Sequence, residues 1–332
     1  MMQLMSTTID HGEAMCDDPA PLGPDAGRLS GSVALVTGAG RGVGRLVATS
    51  FADAGAAVAM IARSGDELDR TLESISTSGG IAAAAVADVT DPAGLAAAMA
   101  ALRQQLGPAD LLVNNAGILG PAGPLWEVDL GEWWTTMNVN LRGLVLATQL
   151  VLPDMVAAGR GRIINITSQA GVHRWPLASA YSVSKAAVVK LTENLALETS
   201  RHGIGVFSVH PGLLPIGISE TIAAQTPTNA HEVHITNWAL NALAEGRGAD
   251  PARAAGLLLR IAAGDADRLT GRHLSVHDDL DRLLRRLPEV LEHDLYVLRP
   301  DRLQNPDASP ARPISQPQET SHAHRTSNPP RR

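Results

Sequence analysis

At 332 residues the chain suits one large α/β domain or two small ones. Hydrophobic residues make up 45% of it, enough for a sizeable core, while aromatics are only 3%. The net charge of −7, with no basic patch, argues against nucleic acid as a partner.

The one cysteine, Cys16, excludes a disulfide within the chain, which fits a reducing cytosol. No basic n-region leads into an apolar h-region, so no secretory signal is expected. No apolar run approaches the ~20 residues that span a bilayer, so no membrane role is expected either. The expected location is cytoplasmic.

Residues 1–29 carry Pro, Gly, Asp and Met without periodicity and read as a disordered extension. Val33 to Thr37 is a short apolar run that reads as a buried strand. Thr37-Gly-Ala-Gly-Arg-Gly-Val-Gly44 follows, and then an apolar-periodic stretch to Ala54. Strand, glycine turn and helix in that order give a dinucleotide-binding pattern its physical meaning. Gly38 allows a tight turn, Gly42 lets the backbone approach a pyrophosphate, and Gly44 lets helix and strand pack closely. Gly40 and Val43 lie in the same turn, and the free N–H groups of the helix N-terminus point at the phosphates.

Ala57 to Ala62 reads as a second strand, followed by Arg63. An NAD-preferring enzyme usually has Asp or Glu there, bonding the ribose 2′-hydroxyl. Arg63, with Arg41 inside the glycine turn, suits a 2′-phosphate instead, because the guanidinium fork matches phosphate oxygens. NADP(H) is therefore expected in preference to NAD(H). A helix is expected over 66–79 and a third strand from Ile81 to Ala87, with Asp88 and Val89 at its end positioned to flank the adenine. Asp91 before Pro92 reads as a helix N-cap with proline at the first helical position, the helix running to Leu106. Leu111 to Val113 is a fourth strand, leading into Asn114-Asn-Ala116-Gly117 at the rim of the same crevice.

Gly131 to Met155 reads as a long helix containing Asn138-Val-Asn140, which is either an exposed polar position or a kink that holds a water near Lys185. Gly161 to Thr167 is a fifth strand that delivers Ser168. Tyr181 and Lys185 stand four apart in a helix over Ala178 to Leu197, which puts both on one face. An unperturbed phenol titrates near ~10, and a close ammonium lowers that value toward the range where it can exchange protons near neutrality. A serine hydroxyl beside it can bond an oxygen on which charge develops. Such a pair is informative because the chain has only two Tyr and two Lys.

Gly205 to His210 reads as a sixth strand, ended by Pro211-Gly212. Residues 213–246 lack clear periodicity and are expected to form an irregular substrate lid. Asp250 is expected to cap a helix from Pro251 to Ala263, followed by a seventh strand from His273 to Val276 and an amphipathic closing helix over 278–298. Trp175, Leu213, Leu214, Ile218 and Trp238 are candidates to line an apolar substrate pocket, and His173 is expected to be a loop residue without a role. From residue 300 onward Pro, Ser, Arg and Gln dominate and a disordered tail is expected, in which His322 and His324 make a poor metal site. No metal-ligand cluster stands out.

Alternating strands and helices imply one doubly wound, Rossmann-type parallel sheet of about seven strands over 30–299, flanked by helices on both faces. Within it TGAGRGVG, NNAG, Ser168, YSVSK and Pro211-Gly212 occur in one order. That combination resembles the short-chain dehydrogenase/reductase family. The resemblance implies that Ser168, Tyr181, Lys185 and Asn140 form the catalytic group. Tyr181 then exchanges the hydroxyl proton, Lys185 tunes it and holds the nicotinamide ribose, and Asn140 holds a relay water. Gly38, Gly42, Gly44 and Asn114 match the family's cofactor positions. One departure is Ile216, where many members have a Thr that bonds the nicotinamide carboxamide. The resemblance further implies a small-molecule carbonyl or alcohol substrate and a homodimer or homotetramer built through the two long helices. The alternative reading is an NADP-binding sensor or scaffold without catalysis.

Overall fold

Short apolar runs without alternation cannot leave one face in water, so each strand needs cover on both sides. In the computed structural model, which describes residues 25, 27–224 and 226–299, they receive it. Seven strands, β1 (Val33–Thr37), β2 (Ala57–Ala62), β3 (Ile81–Val86), β4 (Leu111–Asn114), β5 (Gly161–Ile166), β6 (Ile204–His210) and β7 (His273–Ser275), form one sheet in the order β3-β2-β1-β4-β5-β6-β7. Every neighbouring pair is parallel.

The pleat divides the strand residues between two cores. Val36, Val58, Met60, Val113, Ile164 and Phe207 face a layer built from α1 (Gly42–Asp53), α2 (Gly65–Thr77) and the later helix over Pro251–Ala262. Leu35, Ala59, Ile61, Leu112, Ile163 and Val206 face α3 (Pro92–Leu106) and the long central helices. The sequence-adjacent strands fan outward from β1 on one side and from β4 on the other. The crevice therefore opens at the carboxyl ends of β1 and β4, where a doubly wound sheet takes its ligand.

Local chemistry sets the helix ends. The side chain of Asp91 accepts from the Ala93 N–H at 3.1 Å, and that of Asp250 from the Ala252 N–H at 2.8 Å, each ahead of a proline in the first turn. The stretch read as one helix over 131–155 is α4 (Leu130–Met137) and α5 (Gly143–Ala158), joined by a π-type turn at Asn138–Arg142. That turn contains the two asparagines. By length and composition Leu130–Ala158 could also cross a membrane, at a mean hydropathy of 1.4, so the expectation that no such run exists is corrected. In the fold its Ala147, Val151 and Met155 pack onto the sheet instead.

Three further expectations change. The segment 213–246 is not irregular: it contains α7 (Ile218–Ala224) and α8 (Ala230–Ala244), with Asn229 capping α8 through His231 and Glu232. Its periodicity is blurred because Ile235, Ala239 and Ala242 are buried while Val233, Trp238 and Leu240 remain exposed on the other faces. After α9 (Pro251–Ala262) and β7, the closing helix divides into α10 (Leu280–Arg285) and α11 (Leu287–Glu292), because Arg286 leaves helical geometry at φ −100° and ψ 20°. The chain then folds back, the His273 N–H reaching the Tyr296 carbonyl at 2.8 Å. The fold also starts before residue 30: Leu29 is buried, with its N–H on the Ala54 carbonyl at 2.9 Å. The rest of the expected N-terminal extension apart from 25 and 27–28, the tail from 300, Cys16, His322 and His324 lie outside the described residues.

Candidate active site

The glycine turn between β1 and α1 is held open by backbone contacts. A Cβ on Gly44 would collide with the Gly38 carbonyl, which keeps α1 pressed on β1. Gly42 has φ +57°, and a Cβ there would lie 2.5 Å from the Gly217 Cα, at the foot of α7. The turn is tied to β4 by Thr37, whose Oγ1 accepts from the N–H groups of Asn115 at 3.1 Å and Ala116 at 3.2 Å. Asn115 returns its side-chain amide to the carbonyls of Thr37 at 3.0 Å and Gly38 at 3.1 Å.

A cavity of about 550 Å³ runs from this turn to α8. Gly38, Gly40, Arg41, Gly42, Val43, Arg63, Asp88, Val89, Ala116, Gly117, Pro211 and Gly212 line it, as do Ser168, Tyr181 and Lys185. Three expected residues, Gly44, Asn114 and Asn140, stand behind the wall. Gly44 is buried in the turn, and Asn114 is buried in β4, donating to Thr148 Oγ1 and Asn165 Oδ1, both at 2.9 Å. Asn115 holds the lining position in its place, and the sequence pattern gave no means of choosing between two adjacent asparagines. Asp88 accepts from the N–H and hydroxyl of Thr90 at 2.8 and 2.7 Å. Burial raises its carboxyl, but the Thr90 bonds and the Arg63 charge more than offset this and hold it below the usual range. The glycine cradle fits a dinucleotide, and Arg41 and Arg63 line the same wall of the cavity.

Helix α6 (Ser179–Thr199) carries Tyr181 and Lys185. Lys185 is 4% exposed, and its Nζ donates to the Ile166 carbonyl at the end of β5 at 2.9 Å. It lies 5.7 Å from the centre of the Tyr181 ring. Burial lowers the ammonium to about 8. Burial also raises the Tyr181 phenol, and hydrogen bonding with Ser168 pulls it back in part. The expected lowering by Lys185 is corrected: the phenol is shifted upward, because loss of water around the phenolate is the largest effect. Asn140, in the π-type turn, accepts from the Ile118 N–H at 2.8 Å and donates to the Ile118 carbonyl at 2.9 Å. Its amide also donates to Ser184 Oγ at 3.0 Å, and Ser184 donates to the Tyr181 carbonyl at 2.7 Å. Ser184 is a residue that sequence reasoning passed over, since a serine inside YSVSK carries no distinguishing signal.

The other half of the cavity is apolar. Trp175, Leu213, Leu214, Ile218 and Trp238 line it together with Leu119, Ile222 and Ile235. Trp175 and Trp238 meet edge to face, with centroids 4.5 Å apart at 84°. Leu177, between Trp175 and α6, is held at φ +68° with its carbonyl on the Gly123 N–H, a strained conformation for a leucine beside the site. Ile216 lines the cavity with a side chain that cannot donate a hydrogen bond. His173 stands in the loop after Ser168 and is not among the residues that line the cavity. Among the described residues no cluster of three His, Cys, Asp or Glu is arranged for a metal ion.

A doubly wound sheet with a dinucleotide cradle at its topological switch point, opening onto half-buried Ser168 and Tyr181 and a buried Lys185, defines a nucleotide-dependent oxidoreductase. The short chain dehydrogenase family model matches residues 32–226, and the chain belongs to that family. It is 38% identical over 188 residues to a short chain dehydrogenase of Pseudocercospora fijiensis (strain CIRAD86), a match spanning 56% of this chain and 60% of that protein. It is 35% identical over 246 residues to the oxidoreductase UcpA of Escherichia coli (strain K12), covering 74% of this chain and 92% of UcpA. Among solved structures it is similar to a variant of actinorhodin polyketide ketoreductase with NADPH, at 31% identity and TM-score 0.67, covering 76% of this chain and 97% of that one. The chain is thus an NAD(P)-dependent enzyme acting on CH–OH and C=O groups.

Proposed function

We propose that the chain is an NADP(H)-dependent carbonyl reductase or secondary-alcohol dehydrogenase for a hydrophobic small molecule, with Tyr181 as proton donor and acceptor. The nicotinamide cofactor supplies the hydride chemistry when bound. Gly38, Gly40, Gly42 and Val43 hold its pyrophosphate, with Gly44 supporting the turn. Arg41 and Arg63 take the 2′-phosphate. Asp88 and Val89 flank the adenine, and Ala116, Gly117, Pro211 and Gly212 border the nicotinamide half. Asn114 supports this region from behind Asn115. Since Ile216 has no donor in its side chain, backbone groups near it anchor the carboxamide.

Tyr181 keeps its proton in the resting protein because burial disfavours the phenolate. It can then donate from Oη to a substrate oxygen, with Ser168 Oγ bonding the same oxygen as charge develops on it. The charge of Lys185, fixed at the Ile166 carbonyl, stabilises the phenolate left behind. Asn140 fixes the backbone at Ile118 and, through Ser184, the helix turn that bears Tyr181. The observation that carries the substrate class is the apolar wall of Trp175, Leu213, Leu214 and Trp238 beside Tyr181. A nucleotide sensor without turnover is not favoured by membership of an enzyme family. Homodimers or homotetramers through α5 and α6 are supported by the exposed Val145, Leu150, Val156, Val183 and Leu197.

The test is oxidation of NADPH followed against a panel of ketones graded from apolar to polyhydroxylated. Turnover is expected to rise with apolar surface. A preference for polyhydroxylated substrates would contradict the proposed class.

A further inference from the structure

Position 63, where an acidic residue would bond a ribose hydroxyl, holds Arg63, yet the same wall of the cavity contains a carboxylate. Glu67 lines it beside Arg41, Arg63 and Ser64. It sits in the first turn of α2, which Ser64 caps by accepting from the Glu67 N–H at 3.3 Å. Its side chain lies across the glycine turn, because a Cβ on Gly40 would stand 2.7 Å from Glu67 Cβ. Its Oε1 is 3.7 Å from Arg41 Nε, with the two side chains 30% and 52% exposed. A pair that long and that wet is weak, so neither partner is locked to the other. Arg41 also reaches α7, donating from Nη1 to Thr221 Oγ1 at 2.5 Å. The wall thus presents a carboxylate and a guanidinium side by side.

We infer that Glu67 gives the site a second nucleotide: its carboxylate accepts the ribose 2′-hydroxyl of NAD(H), while Arg41 and Arg63 take the 2′-phosphate of NADP(H). This rests on the reading that those two arginines face the 2′ position. Glu67 then sets the ratio between the cofactors. A hydroxyl bonded to a carboxylate is a charge-assisted contact, whereas a phosphate is repelled by the same charge. Removing the charge moves the two affinities in opposite directions, which a distorted turn or a frayed helix does not do.

The test is calorimetric binding of 5′-ADP and 2′,5′-ADP to the full chain and to Glu67→Gln. The variant is expected to bind 5′-ADP roughly three- to tenfold more weakly and 2′,5′-ADP more tightly by a similar factor. Glu67→Lys is expected to move 2′,5′-ADP further in the same direction. An unchanged ratio, a change of both affinities in one direction, or a wild-type protein that does not bind 5′-ADP would overturn the inference. The NADP(H) reading fails separately, if Arg41→Ala and Arg63→Ala leave 2′,5′-ADP binding untouched in wild-type background.

Discussion

Two half-buried histidines make the folded protein sensitive to acid. His210, at the end of β6, is pushed down to about 3 by burial and by the neighbouring His273, His277 and His173. His273, whose Nδ1 lies 3.3 Å from Thr167 Oγ1 and 3.2 Å from Ser208 Oγ, is lowered to about 4 by burial and then His173. Their values in the unfolded chain are near ~6.5. Because the folded values are the lower ones, the unfolded state takes up protons first as pH falls. Stability is complete above ~6.5 and is lost between there and the folded values. From pH 7 to pH 5 the linkage relation gives about 2 kcal/mol for each histidine, on the order of 4 kcal/mol together. That is a large part of the roughly 5–15 kcal/mol typical of a domain. Asp278, raised by burial, acts in the opposite sense and offsets part of the loss. Urea unfolding followed by circular dichroism at pH 7 and pH 5 measures it. His210→Asn and His273→Asn are each expected to remove about half of the acid loss, whatever they cost at pH 7. Equal stability at the two pH values in the wild type, or an undiminished loss in the double variant, would refute the reasoning.

Lys185, lowered to about 8 by burial, is expected to give kcat/KM for reduction an alkaline limb near that pH, as its charge is lost. Lys185→Arg, which keeps its charge, should shift that limb upward in whatever activity remains. Gly42→Ala places a side chain at φ +57° and against Gly217, so it should cost about 1–2 kcal/mol of stability and weaken NADPH binding, measured by thermal unfolding and titration. Trp238→Ala removes the edge-to-face partner of Trp175 and should raise KM for apolar ketones about tenfold with little change for small ones.

Much of the sheet was legible because buried parallel strands are short apolar runs bounded by turn residues. Val33–Thr37 and Ala57–Ala62 coincide with their expected limits, and the aspartate–proline pairs at 91–92 and 250–251 start helices as their chemistry requires. The region over 213–246 was not legible, because α8 buries only a narrow stripe and its exposed apolar residues erase the helical period. Leu29 was missed because a lone leucine packed against the end of α1 has no pattern around it. Within the site, residues on the Tyr181 helix follow from spacing. Asn115, Ser184 and Glu67 reach the site through turns and side-chain directions that only the fold defines. The direction of the Tyr181 shift was also hidden, since spacing shows a neighbouring cation but not the depth at which both groups lie.

The most direct measurement is Tyr181→Phe, which keeps the ring and deletes only the hydroxyl. Turnover of the best ketone from the panel should fall by at least about a thousandfold, the scale of losing an acid–base group. NADPH affinity, measured by titration on the same preparation, should stay within about threefold of wild type. Turnover persisting near the wild-type rate would show that the proton comes from elsewhere and would contradict the account.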